Sequence, residues 1–144
     1  MKLIFDDNFN HEIKQYLLGQ PGINDVNIID NEITTEININ YENTTPLIIL
    51  KYIEIFQNNK YNTLFSFDKE NISEVKELKY LIDDICCEYC YKSLMHKLFE
   101  NEFIKSAKSN FDFNKPAYNI ELVIEYKNDY NEKKLIEYIK ENIK

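Results

Sequence analysis

The chain has 144 residues and is 44% hydrophobic, with two Gly and three Pro, so it can bury a core and has little room for linkers. Its formal net charge is −8 and all seventeen basic residues are Lys; without Arg for bidentate phosphate contacts, this balance excludes a nucleic-acid or anionic-membrane partner. No apolar run has bilayer-spanning length and the N-terminal segment turns acidic at Asp6 and Asp7, so the expectation is a cytoplasmic protein without signal peptide or anchor.

Taken in chain order, Lys2 to Phe5 reads as a short strand. Ile13, Tyr16 and Leu17 then share one helical face, closed by Gly19 and Pro21. A hairpin follows, with Val26 and Ile28 in its first strand. In its second strand Ile37, Ile39 and Tyr41 alternate with Glu36, Asn38 and Asn40, as in a sheet with one buried face. Thr45-Pro46 supplies an N-cap and a first-turn proline for a helix running to about Gln57. That helix carries Leu47, Ile48, Ile49, Leu50, Ile53, Ile55 and Phe56, which predicts cover on more than one side, either by the second half of the chain or by a homodimer partner. Tyr61 to Phe67 reads as a closing strand.

The order then starts again. Met1-Lys2-Leu3-Ile4-Phe5-Asp6-Asp7 is matched by Leu78-Lys79-Tyr80-Leu81-Ile82-Asp83-Asp84, and Glu36-Ile37-Asn38-Ile39-Asn40-Tyr41 by Glu121-Leu122-Val123-Ile124-Glu125-Tyr126. The second copy gives a strand at Leu78 to Ile82, a helix from about Cys90 to Phe99, strands near Ser106 to Phe113 and Tyr118 to Tyr126, and a last helix from Asn131. Two copies of a β-α-β-β-α-β unit make a tandem ferredoxin-like α+β protein, helices on one face of antiparallel sheets, with the second copy short of its last strand. The predicted units are 1–70 and 71–144. A helical reading of the junction competes, because Val75, Leu78, Ile82 and Ile85 also fit a helical period.

The chemistry sits in Asp83-Asp84-Ile85-Cys86-Cys87-Glu88-Tyr89-Cys90, where a strand runs into a helix. A C-x-x-C spacing lets Cys87 and Cys90 converge on one ion, and Cys86 can add a third thiolate. A helix N-terminus favours the thiolate form, which selects soft ions such as Cu(I) or Zn(II). Asp83 and Asp84 oppose thiolate formation until a cation binds. His96 lies six residues beyond Cys90, roughly 240° round a helix, and is read with His11 as a surface side chain. Met95 is read as packing, and Asp6 with Asp7 as a helix N-terminal charge.

Residues 78 to 144 resemble a heavy-metal-associated domain, the small ferredoxin-like unit of copper chaperones and metal-pumping ATPases. The family's Gly-Met-Thr-Cys-x-x-Cys pattern places its ligands on Cys87 and Cys90 and its buried Met on Ile85, with Leu94 and Leu98 in the first helix. Val123 to Tyr126, Leu135 and Ile139 also match. Asp84 stands for the family's Gly and Cys86 for its Thr. The first half is a degenerate copy without cysteines.

The resemblance implies a non-enzymatic protein that binds a soft metal for buffering, delivery or sensing. The alternative is a tandem ferredoxin-like regulatory or protein-interaction module with no metal role. A thioredoxin-like redox site fits poorly, because Lys115-Pro116 follows Cys90 too soon for the strand and helix that fold needs. Two isolated glycines, Gly19 and Gly22, exclude a phosphate-binding loop, and no Ser, His and Asp grouping supports a hydrolase.

Overall fold

The computed structural model describes residues 1–6, 11–31, 34–57, 64–84, 88–110 and 118–143, with the backbone alone at 83, 84, 88, 89, 118 and 119. Among the described residues there are seven strands and four helices: β1 (Lys2–Phe5), α1 (Glu12–Leu18), β2 (Ile23–Asp30), β3 (Thr35–Tyr41), α2 (Pro46–Phe56), β4 (Leu64–Asp68), β5 (Val75–Asp84), α3 (Glu88–Glu100), β6 (Ile104–Ser109), β7 (Tyr118–Lys127) and α4 (Glu132–Ile143). The junction is therefore the strand β5, and the helical reading is not realised over residues 75 to 84. The chain forms two compact units, 1–65 and 66–144, divided inside β4.

In the first unit the strand order is β2-β3-β1-β4, the ferredoxin-like arrangement. Leu3 and Phe5 on β1 and Ile37 and Ile39 on β3 are buried by the inward faces of the helices, Ile13 and Leu17 on α1 and Ile49, Leu50 and Ile53 on α2. Thr45 caps α2 as its sequence predicts, its hydroxyl accepting from the Ile48 amide at 3.3 Å, with Pro46 in the first turn. Gly22 enters β2 at φ +86°, where an added Cβ would lie 2.7 Å from the Glu42 carbonyl oxygen, so this turn needs glycine.

Burial in α2 divides by face. One face is buried, but Ile48 is 42% exposed and Ile55 is 63% exposed on the other. A helix apolar nearly all round has here buried one stripe and left the second open.

In the second unit the order is β6-β7-β5, with the end of β4 pairing antiparallel to β6 through Phe67↔Ala107 and Asp68↔Ser106. Ile120, Leu122, Ile124 and Tyr126 alternate inward along β7 and meet Leu94, Met95, Leu98, Leu135 and Ile139 from the helices. The Tyr138 hydroxyl donates to the Lys97 carbonyl at 2.7 Å, fastening α4 to α3, and Asn131 Oδ1 caps α4 by accepting from the amides of Lys133 and Lys134. No strand follows α4 among the described residues.

The two units share their registers as well as their element order. Lys2↔Asn38 and Phe5↔Thr35 in the first correspond to Lys79↔Val123 and Ile82↔Ile120 in the second, pair for pair along the sequence match. Each unit also has a register shift at the start of its second strand. Ile23↔Tyr41 is followed by Asp25↔Asn40, and Ile104↔Tyr126 by Ser106↔Glu125. The shift brings residues three apart, Ile23 with Val26 and Ile104 with Ala107, onto the buried face. Shared register and shared bulge show that the sequence repeat is a structural one.

Candidate thiol site

The strand-to-helix turn between β5 and α3 belongs to the second unit. Asp83 and Asp84 are the last residues of β5, and α3 opens with Glu88, Tyr89 and Cys90. Cys90 thus lies in the first helical turn, where backbone amides lack intrahelical acceptors. It is half-buried and is joined in a disulfide. Cys86 and Cys87, with Ile85, lie outside the described residues, as do Asp7 and Lys115-Pro116.

The helix is held firmly just beyond Cys90. Tyr91 is fully buried, and its hydroxyl is hydrogen-bonded to Ser109 on β6 at 2.7 Å. Burial pushes the Tyr91 phenol well above the usual tyrosine range, and the Ser109 bond opposes that shift. Leu94 and Leu98, four and eight residues after Cys90, are fully buried and fix which face of α3 turns to the sheet. The correspondence that carries β1 onto β5 carries Ile13 onto Cys90 and Leu17 onto Leu94. Ile13 is fully buried, so where the second unit has a thiol the first has a core side chain.

The other candidate ligands are engaged elsewhere. His96 Nδ1 pairs with Glu100 Oε1 at 2.9 Å, one turn along the same helix. His11 pairs with Asp30 on β2, and both histidines are exposed. Met95 is fully buried in the core. Among the described residues no group of three or more His, Cys, Asp and Glu side chains is placed to hold a metal ion. An open polar cleft of about 530 Å³ in the same unit is lined by Asn71, Ile72, Ser73, Glu74, Lys127, Asn128 and Asp129 and includes no thiol or imidazole.

No protein-family model and no curated protein matches the chain. Among solved structures, the N-terminal soluble domains of Bacillus subtilis CopA in solution are similar at 17% identity, covering 98% of this chain and 88% of that one, with a TM-score of 0.37. The fold assignment stands on the element order, strand order and registers of the chain itself.

Among the described residues, Lys69 is an unusual group that sequence reasoning passed over. It follows β4, is only 6% exposed, and donates from Nζ to the Asn101 carbonyl at 3.0 Å. The ammonium also lies 5.1 Å from the centre of the Phe99 ring and 5.6 Å from that of Phe67. Its pKa is lowered to about 8, chiefly by burial and next by the charge of Lys127, against the opposing pull of Glu102. A lone Lys after an apolar strand carries no signal in sequence, because most such side chains reach water.

No helix among the described residues is long and apolar enough to cross a membrane.

Proposed function

We propose that the second unit binds one soft metal ion, Cu(I) or Zn(II), through Cys87 and Cys90, with Cys86 as a third thiolate, and that the protein buffers, delivers or senses that metal without catalysing a reaction. The observation that carries this reading is the disulfide at Cys90. It means that a second sulfur reaches Cys90 in the first turn of α3, and reduction turns such a pair into two adjacent thiols, which release their protons to solvent as they bind a metal ion. Thiolates are soft donors, and two of them with an open position suit exchange of Cu(I), whereas a third makes a tighter site. With His11, His96 and Met95 engaged elsewhere, the donor set is sulfur. The reading requires the thiols to stay reduced, which fits a cytoplasmic protein.

The test is native mass spectrometry of the phosphine-reduced chain, titrated anaerobically with Cu(I) and separately with Zn(II). One equivalent of metal is expected on the wild type. Cys87→Ser with Cys90→Ser should abolish that binding and leave the far-ultraviolet circular dichroism unchanged, while Cys86→Ser alone should weaken retention. Metal binding unchanged in the double variant sinks the proposal.

A second reading, a protein-interaction module, is favoured by the open apolar face of α2, where Leu47, Ile48 and Ile55 are exposed together. Loss of metal binding with retained capture of a partner would move the assignment there.

A further inference from the structure

The repeat lets one unit serve as a control for the other. The sequence match that carries Ile13 onto Cys90 carries Lys14 onto Tyr91. On the sheet, the shared register shift carries Val26 onto Ala107, so Ile28, which pairs with Ile37, corresponds to Ser109, which pairs with Leu122. Where the second unit has a tyrosine bonded to a serine, the first therefore has a lysine and an isoleucine, whose side chains cannot form such a bond.

The two units otherwise build this junction alike. Ile13 and Leu17 in the first, and Leu94 and Leu98 in the second, turn the helix onto the sheet with their side chains fully buried. The fold is thus made in the first unit without a hydroxyl pair at this place. Packing does not demand one in the second either. The Tyr91 ring is fully buried and its hydroxyl meets Ser109 at 2.7 Å, yet a buried pair of hydroxyls gives little net stability over two apolar groups of the same shape. What sets the second unit apart here is the cysteine. Tyr91 follows Cys90 directly in the first turn of α3, and Ser109 ends β6. Helix ends fray because their backbone bonds are incomplete, so a side-chain tie to the sheet at this turn limits how far the Cys90 backbone can move.

We propose, on the soft-metal reading of the thiol site, that the Tyr91–Ser109 bond is a positioning contact that holds Cys90 where a second sulfur meets it. The two conditions occur together: the hydroxyls are bonded, and Cys90 is joined in a disulfide. A ligand whose backbone is already held loses less freedom on closing round an ion or onto a second sulfur, so the same tie raises metal affinity and favours the disulfide. Tyr91 and Ser109 act through Cys90 and need not touch the metal.

The decisive variant is Tyr91→Phe with Ser109→Ala, which removes both hydroxyls of the pair together, so circular dichroism and unfolding should stay close to wild type. The reduced full chain is titrated with Cu(I) against a chromophoric Cu(I) chelator. Separately, the disulfide at Cys90 is equilibrated with glutathione buffers, which needs no metal. In the double variant Cu(I) affinity should fall about fivefold, the reach of one hydrogen bond of ordinary net strength, and the disulfide should be reduced about fivefold more readily. Ser109→Thr, which keeps a hydroxyl, should match the wild type in both measurements. Ser109→Ala alone carries the same expectation as the double variant and replaces it should that variant unfold. A variant as tight for Cu(I) as the wild type overturns the proposal. If the wild type itself takes up no Cu(I), the metal reading alone fails and the glutathione equilibrium decides the positioning role: a disulfide equally stable in variant and wild type overturns it.

Discussion

The hydroxyls of Tyr91 and Ser109, 2.7 Å apart, tie the residue after Cys90 to the last residue of β6. The bond fixes the first turn of α3 against the sheet and so sets where the thiol stands. Tyr91→Phe keeps the buried ring and removes the bond, and should cost about 1 kcal/mol in urea unfolding. Because burial raises the Tyr91 pKa in the folded state, its contribution is fully present below the unfolded value and is lost as pH rises beyond about 10. The variant should therefore lose less stability than the wild type on the alkaline side.

Lys69 predicts an opposite trend at lower pH. Its folded pKa, lowered to about 8, lies below the ordinary lysine value of 10.5, so the unfolded chain holds the proton more tightly. The sign follows from this: Lys69 disfavours folding at neutral pH, and that penalty is relieved as pH rises from about 8 towards 10.5. Lys69→Met, which removes the buried charge and retains the packing against Phe67 and Phe99, should flatten the stability profile across that window. An unchanged slope in chemical unfolding at pH 8 and pH 10 would show that the ammonium is better solvated than its burial implies.

The one-sided burial of α2 gives a paired substitution. Ile53 is 2% exposed and Ile55 is 63% exposed, two residues apart on the same helix. Ile53→Ala should cost about 2–5 kcal/mol, whereas Ile55→Ala should stay within about 0.5 kcal/mol. Thr45→Ala, which removes the cap, should cost about 1 kcal/mol. Comparable losses at Ile53 and Ile55 in thermal unfolding would mean that the second face is covered in solution.

Cys90 itself should matter little to the fold. It is half-buried at a helix start, and the neighbouring Tyr91, Leu94 and Leu98 supply the packing. Cys90→Ser should leave folded, compact protein by circular dichroism and sedimentation, while Leu94→Ala, four residues on, should cost about 2–5 kcal/mol.

Much of the fold was legible because its signals are local. The alternation of Ile37 and Ile39 with polar residues marks a half-buried strand, Thr45-Pro46 marks a helix start, and the two matched segments mark a repeat. The C-x-x-C motif was legible for a similar reason: spacing and residue type alone define which chemistry two thiols can share.

Tertiary structure decided what depends on neighbours distant in the chain. Ile53 and Ile55 are alike in sequence, and only the packed sheet buries one and leaves the other in water. Lys69 looks like any surface lysine until Phe99 and the Asn101 carbonyl are brought around it from α3 and the loop that follows. The sequence by itself determined two ferredoxin-like repeats and the C-x-x-C spacing in the second; folding decided which face of α2 is buried and which charge is buried.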